Sequence, residues 1–197
     1  MINDERTKRQ LRTADSTFET REDGEDLIIE GYFAVYNSDY VITDEMSESI
    51  APGAFADTLG NDIRALTNHD TSLVLGRNRA GTLELKDDSR GLWGRIKINP
   101  NDQDAMNTYE RVKRGDVSQC SIGFEILDEE TEFLDGGRIH WTIRKINLFE
   151  VSVCTFPAYA ETSVSAREHD AEEVKKRQSE AWKEKTLKRL KGEDYNA

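Results

Sequence analysis

The chain has 197 residues, enough for one packed domain and a tail. Charged residues make up 34% and hydrophobic residues only 36%, with a mean hydropathy of -0.74, so part of the chain is expected to lie outside any core. The net charge of -12 and pI of about 4.8 exclude a binder of nucleic-acid backbone, which needs a basic face, and disfavour an anionic membrane surface.

Residues 1–14 are polar and charged and read as a flexible arm. They hold no apolar leader segment, and no stretch approaches the roughly 20 apolar residues of a membrane span. A soluble intracellular protein is therefore expected. Residues 15–167 show strand-like runs with short breaks and read as one domain. Residues 168–197 read as a charged, helical C-terminal tail. That tail carries eight acidic and eight basic residues, so the whole net charge of -12 belongs to residues 1–167.

In chain order, residues 26–37 (DLIIEGYFAVYN) form an apolar, β-branched run that reads as a buried strand. Residues 52–60 (PGAFADTLG) start on Pro and stop on Gly, which predicts a short helix. TLELKDD and GLWGRIKIN, joined around Ser89-Arg90-Gly91, predict a hairpin. Residues 101–115 carry Asn/Asp caps, apolar Ala105, Met106, Tyr109 and Val112 at helical spacing, and a terminal Gly115. Residues 117–127 and 145–156 are two further strands. Asp135-Gly136-Gly137, between alternating runs, predicts another hairpin. Strands dominate without βαβ alternation. The expected fold is mainly β with peripheral α-helices, in a closed or nearly closed antiparallel β-barrel.

Three residues in separate segments could form a serine-hydrolase triad: His69 in LTNHD, Ser121 in QCSIGF and Glu150 in LFEVSV. Period-two alternation puts Cys120, Ile122 and Phe124 on the core face, so Ser121 points away from the core, with Gly123 leaving room beside it. A solvent-facing strand serine is the commoner meaning of such a position. Glu150 is an acid in an apolar strand and needs a partner; His69 and Arg144 are the candidates, and a structural salt bridge is as good a reading as a catalytic one. His69 ends an apolar run at a strand-to-loop junction. His140 reads as a surface strand residue and a secondary rival for the third position; His169 lies in the tail. Cys120 and Cys154 read as buried, reduced thiols. No metal site, Gly-rich phosphate loop or GxSxG elbow is present, so neither metal nor cofactor is implied.

Six strings in order carry a resemblance: IEGYFAVYN, IAPGAFADTL, LTNHDTSLVLGR, GTLELKDDSRGLWGRIKI, YERVKRGDVSQCSIGFEI and LFEVSVCTFPAYAETSV. Over roughly residues 26–166 the chain resembles the prohead (capsid-maturation) proteases of tailed phages. The resemblance implies a herpesvirus-protease-like β-barrel with a nucleophile at Ser121, a base at His69 and an acid at Glu150. The herpesvirus enzymes use a second histidine there, which keeps His140 in view. It also implies a serine endopeptidase in the host cytoplasm, inside the assembling procapsid. Its partners would be the major capsid protein and/or a scaffold protein. It would cleave scaffold, or the scaffold-like N-terminal part of the capsid protein, and itself. A homo-oligomer is a further expectation. The competing readings are a non-enzymatic capsid assembly or scaffold-binding protein on the same barrel, and a small-molecule hydrolase using the same triad.

Overall fold

The computed structural model describes residues 10–15, 18–24 and 26–156, and in the tail 167, 170–172, 174–177, 179–180, 182–184 and 186–187. Two compact units emerge, Met1–Ala160 and Glu161–Ala197. The described residues of the second unit are helical. Among the described residues no helix is long and apolar enough to cross a membrane.

The first unit holds eleven described strands in two sheets. The smaller sheet has the order β2-β3-β9-β8, from β2 (Glu19–Asp23), β3 (Asp26–Val35), β8 (Leu83–Asp87) and β9 (Gly91–Ile98). The larger sheet has the order β1-β10-β11-β5-β4, from β1 (Gln10–Asp15), β4 (Tyr40–Thr43), β5 (Met46–Ile50), β10 (Gln119–Phe133) and β11 (Ile139–Cys154). A side branch runs from β11 to β6 (Arg64–Thr67) and on to β7 (Asp70–Arg77).

Among the described residues the strands form two sheets and no closed barrel, which corrects the sequence expectation. Nor is the larger sheet purely antiparallel: β5 and β6 both pair with β11 in parallel, β5 against Ile139–Ile143 and β6 against Glu150–Val153. Turn signals locate strands but do not say which strands pair. The pairing comes from burial. Ile29, Phe33 and Ile96 of the smaller sheet share one buried cluster with Cys120, Ile122, Phe124 and Val151 of the larger. Each such side chain contributes roughly 1.5–3 kcal/mol by leaving water.

The predicted helix at 52–60 is instead a run of turns. Gly53 has φ 82°, and the bonds from Ala54, Ala56 and Thr58 reach back only three residues. A backbone carbonyl and a side-chain hydroxyl of this segment serve β11 instead. Ala54 O accepts from Ile146 N at 3.1 Å, and Thr58 Oγ1 accepts from Leu148 N at 2.7 Å. This segment covers the stretch of β11 left between β5 and β6. The second predicted helix is present as α1 (Gln103–Arg114). Asp102 caps it by accepting from the N–H groups of Asp104 and Ala105, and Gly115 ends it in the left-handed region at φ 81°.

β10 and β11 merge what the sequence divided into shorter runs. They form one long hairpin through Asp135–Gly137, with register irregularities near Gly123, Ile126 and Asp128. Residues 10–14, read as part of a flexible arm, are strand β1 on the free edge of β10; residues 1–9 lie outside the described residues.

Gly94 of β9 marks where the smaller sheet touches its core. A Cβ there would sit 2.6 Å from the Phe33 ring and 3.0 Å from Leu85 Cδ2. Phe33 is fully buried and its ring packs against Phe18 at 5.4 Å. Gly94→Ala is therefore expected to destabilise the fold by about 1–3 kcal/mol, visible as a lowered Tm in thermal unfolding. An unchanged Tm would mean that the Phe33 ring yields freely.

Candidate active site

β6 and β7 are joined by a two-residue turn, Asn68-His69, closed by the pair Thr67 and Asp70. Both turn residues have positive φ, 52° and 61°. A two-residue hairpin turn needs this handedness, and Asn and His tolerate it better than most residues. Asn68 anchors the turn to the end of β11. Its N–H donates to Val153 O at 2.9 Å, and its Oδ1 accepts from Thr155 N at 2.8 Å. An outlying backbone held this firmly fixes where the His69 ring points.

The ring meets β11. His69 Nδ1 lies 2.5 Å from Glu150 Oε1. Glu150 is buried, so its carboxylate needs this bond. A carboxylate accepts and does not donate, so the imidazole proton belongs on Nδ1 and Nε2 carries the lone pair. Ser152 completes the arrangement: its hydroxyl donates to Glu150 Oε2 at 2.7 Å and accepts from His69 N at 3.2 Å. One side chain thus holds both the acid and the backbone of the base.

Glu150 reaches His69 because β11 is irregular beside it. Gly123 pairs with Glu150 and Phe124 with Leu148, leaving Phe149 as the extra residue. Phe149 is consequently 39% exposed, although Val151 and Val153, two and four residues on, are buried. A bulge of this kind re-aims the neighbouring side chain. Arg144, the other partner considered for Glu150, pairs with Glu130 instead.

Ser121 of β10 stands directly opposite Ser152, so both side chains leave the sheet on one face, with Cβ atoms about 5 Å apart. That face is opposite Cys120 and Ile122, as alternation predicted. Ser121 is nevertheless completely buried rather than solvent-facing, and its backbone neighbour on β1 is Thr13. Its hydroxyl donates to the backbone carbonyl of Arg12 at 2.9 Å. Among the described residues no hydrogen bond joins Ser121 to His69.

His69 Nε2 faces the Cys154 thiol at 3.9 Å. Burial, and then the Glu150 charge, push that thiol up to about 12. It therefore stays protonated near neutral pH and does not form the thiolate that a cysteine nucleophile requires. Cys120 is turned into the core, with its sulfur against the carbonyls of Tyr32 and Phe33. His140 lies ten residues before Glu150 on β11, about 30 Å away along the strand. Its two ring nitrogens bond the hydroxyls of Ser47 and Ser49 at 2.8 and 2.9 Å. The structure therefore separates His140 from the site. His169 lies outside the described residues.

Sequence reasoning missed Ser152, Cys154 and β1 as parts of this site. Ser152 had a signal, since it follows Glu150 by two residues and shares its face. β1 had none, because QLRTAD lacks an apolar run.

An imidazole held by a buried carboxylate, with a serine on the same face of the sheet, is the set of groups that acyl transfer by a hydroxyl nucleophile uses. The family described as caudovirus prohead serine protease matches residues 16–177. The chain belongs to that family. Over 148 residues it is 32% identical to the prohead protease of Enterobacteria phage HK97; the match spans 73% of this chain and 61% of that relative. Its fold is similar to that of the bacteriophage T4 capsid assembly protease. The TM-score is 0.51 at 11% identity, covering 74% of this chain and 96% of that one.

Proposed function

We propose that this member of the prohead protease family is a serine endopeptidase of phage capsid maturation. It would act inside the assembling procapsid in the bacterial host. Its substrates would be a scaffold protein or the scaffold-like N-terminal part of the major capsid protein, and the chain itself. Family membership supports this reading, and one observation carries it: the part-buried 2.5 Å contact between His69 Nδ1 and Glu150 Oε1, on the face of the sheet that also carries Ser121.

In the proposed mechanism His69 Nε2 takes the Ser121 proton as Oγ attacks the peptide carbonyl. The scissile C–N bond then breaks and His69 protonates the leaving amine. Water releases the acyl group by the same route in reverse. Glu150 orients the ring throughout and stabilises its cationic form, and Ser152 holds Glu150. Backbone N–H groups would stabilise the tetrahedral oxyanion.

A second reading is a non-enzymatic assembly protein that binds scaffold or capsid chains. The observation favouring it is that Ser121 Oγ bonds Arg12 O rather than His69. The two readings separate in processing procapsids treated with a small serine-reactive phosphonofluoridate and analysed by peptide mass mapping. The protease reading expects an adduct on the Ser121 peptide and arrest of capsid or scaffold cleavage. Continued cleavage with Ser121 fully modified would overturn it.

A further inference from the structure

β1 is placed as a bound peptide would be. It runs antiparallel along the edge of β10, pairing Gln10–Asp15 with Phe124–Gln119. An extended peptide added to a sheet edge gains its affinity from such main-chain bonds and its specificity from pockets for alternate side chains. The carbonyl bonded to Ser121 Oγ belongs to Arg12. The residue whose carbonyl meets the proposed nucleophile is therefore an arginine.

Its side chain leaves on the opposite face of the sheet, into a site already built for a cation. Arg12 Nη2 donates to Glu48 Oε2 at 2.9 Å, and Nε donates to Glu48 Oε1. Glu48 is 2% exposed and Arg12 is 5% exposed. The guanidinium carbon lies 5.7 Å from the ring centroids of both Tyr40 and Phe124. A fork-shaped cation between two aromatic faces, with a bidentate carboxylate at its end, is held by three kinds of attraction at once. The surrounding cavity, of about 360 Å³, is also lined by Asp39, Ser49 and Ile122.

An ordinary edge strand requires neither feature. Surface strands do not bury an ion pair this deeply, because each charge loses several kcal/mol of hydration. Nor do they cover a hydroxyl that must meet substrate.

We propose that the edge of β10 is the substrate-strand slot, occupied here by residues 10–15. Glu48 is then a specificity-determining residue that selects Arg or Lys on the amino side of the cleaved bond. This proposal rests on the protease reading. A basic segment of the capsid or scaffold chain enters antiparallel to Gln119–Phe124, displaces β1 and gives its cation to Glu48. The net charge of -12, carried by residues 1–167, attracts such a segment. Substrates lacking the cation forgo the bidentate ion pair with Glu48, and that loss discriminates against them. Displacing β1 also frees the Ser121 hydroxyl to turn toward His69.

The test co-expresses the full chain with its capsid and scaffold chains and maps every new terminus by mass spectrometry, with Ser121→Ala as control. The residue before each Ser121-dependent cut is expected to be Arg or Lys. A second arm uses the charge-swapped pair Arg12→Glu with Glu48→Lys, which keeps β1 latched by an ion pair of opposite polarity. It is offered the natural substrate and one whose mapped basic residue is replaced by Glu. The wild type should favour the natural substrate by about 100-fold or more, and the swapped protein should favour the Glu substrate. Ser121-dependent cuts after residues of any kind overturn the proposal and leave the protease reading standing. Cuts that persist in Ser121→Ala, or their absence from both proteins, remove the protease reading and this inference with it.

Discussion

Ser121→Ala is expected to lower peptide-bond cleavage by about 10⁵- to 10⁶-fold while the procapsid still assembles. The size follows from the proposed role. Without a nucleophile, His69 and Glu150 have nothing to activate, and only binding and oxyanion stabilisation remain; where a complete triad acts as a unit, loss of its serine removes nearly all its effect. The structural cost is small by comparison. The substitution deletes one buried hydrogen bond, from Ser121 Oγ to Arg12 O, worth about 0.5–1.5 kcal/mol. The β1–β10 main-chain pairing stays. Assembly and cleavage therefore report different properties of one variant. The measurement is the rate at which capsid or scaffold fragments appear in gel or mass-spectrometric time courses. A rate within tenfold of wild type would dismiss Ser121 as nucleophile.

Glu150→Gln should lower kcat by about 10⁴-fold with little change in KM. Glutamine keeps the length and much of the hydrogen-bonding capacity, so the Ser152 hydroxyl retains a partner. The negative charge is lost. A carboxylate only accepts, which forces the imidazole proton onto Nδ1 and presents the lone pair of Nε2 to the nucleophile. An amide can donate to Nδ1 instead, leaving the proton on Nε2, where it blocks general-base action. It also offers no charge to stabilise the imidazolium formed during attack. Since Glu150 is on β11, across β10 from β1, peptide binding should be unaffected. The test is steady-state cleavage of a peptide spanning a mapped cut, fitted for kcat and KM separately. A variant losing less than tenfold in kcat would make the Glu150–His69 contact a structural ion pair.

How legible the site was depended on the kind of contact. Alternation in QCSIGF put Ser121 on the face away from the core, and β10 carries it there. The isolated acid in LFEVSV demanded a partner, and Glu150 has one in His69. The bulge at Phe149 had no mark in the sequence, because a bulge is a property of two paired strands and QCSIGF and LFEVSV lie far apart along the chain. The Pro-to-Gly signal at 52–60 predicted a helix on local grounds alone. Bonds from Ile146 and Leu148 overruled it, and both partners come from β11, about 90 residues later.

The sequence by itself determined the strand-rich character, α1, the hairpin around Asp135–Gly137, the charge balance and the resemblance to the prohead proteases. All of these rest on local propensity, on periodicity or on strings of neighbouring residues. Only the tertiary structure decided that the strands form two sheets rather than a closed barrel, that β5 and β6 run parallel to β11, and that His140 stands far from Ser121. It alone brought Ser152 and Cys154 to His69, and placed Arg12 over Ser121 with its side chain on Glu48. The reason is physical. Strand pairing and the burial of charge are settled by partners distant along the chain, and no residue in QLRTAD carries a local mark of the partner it meets.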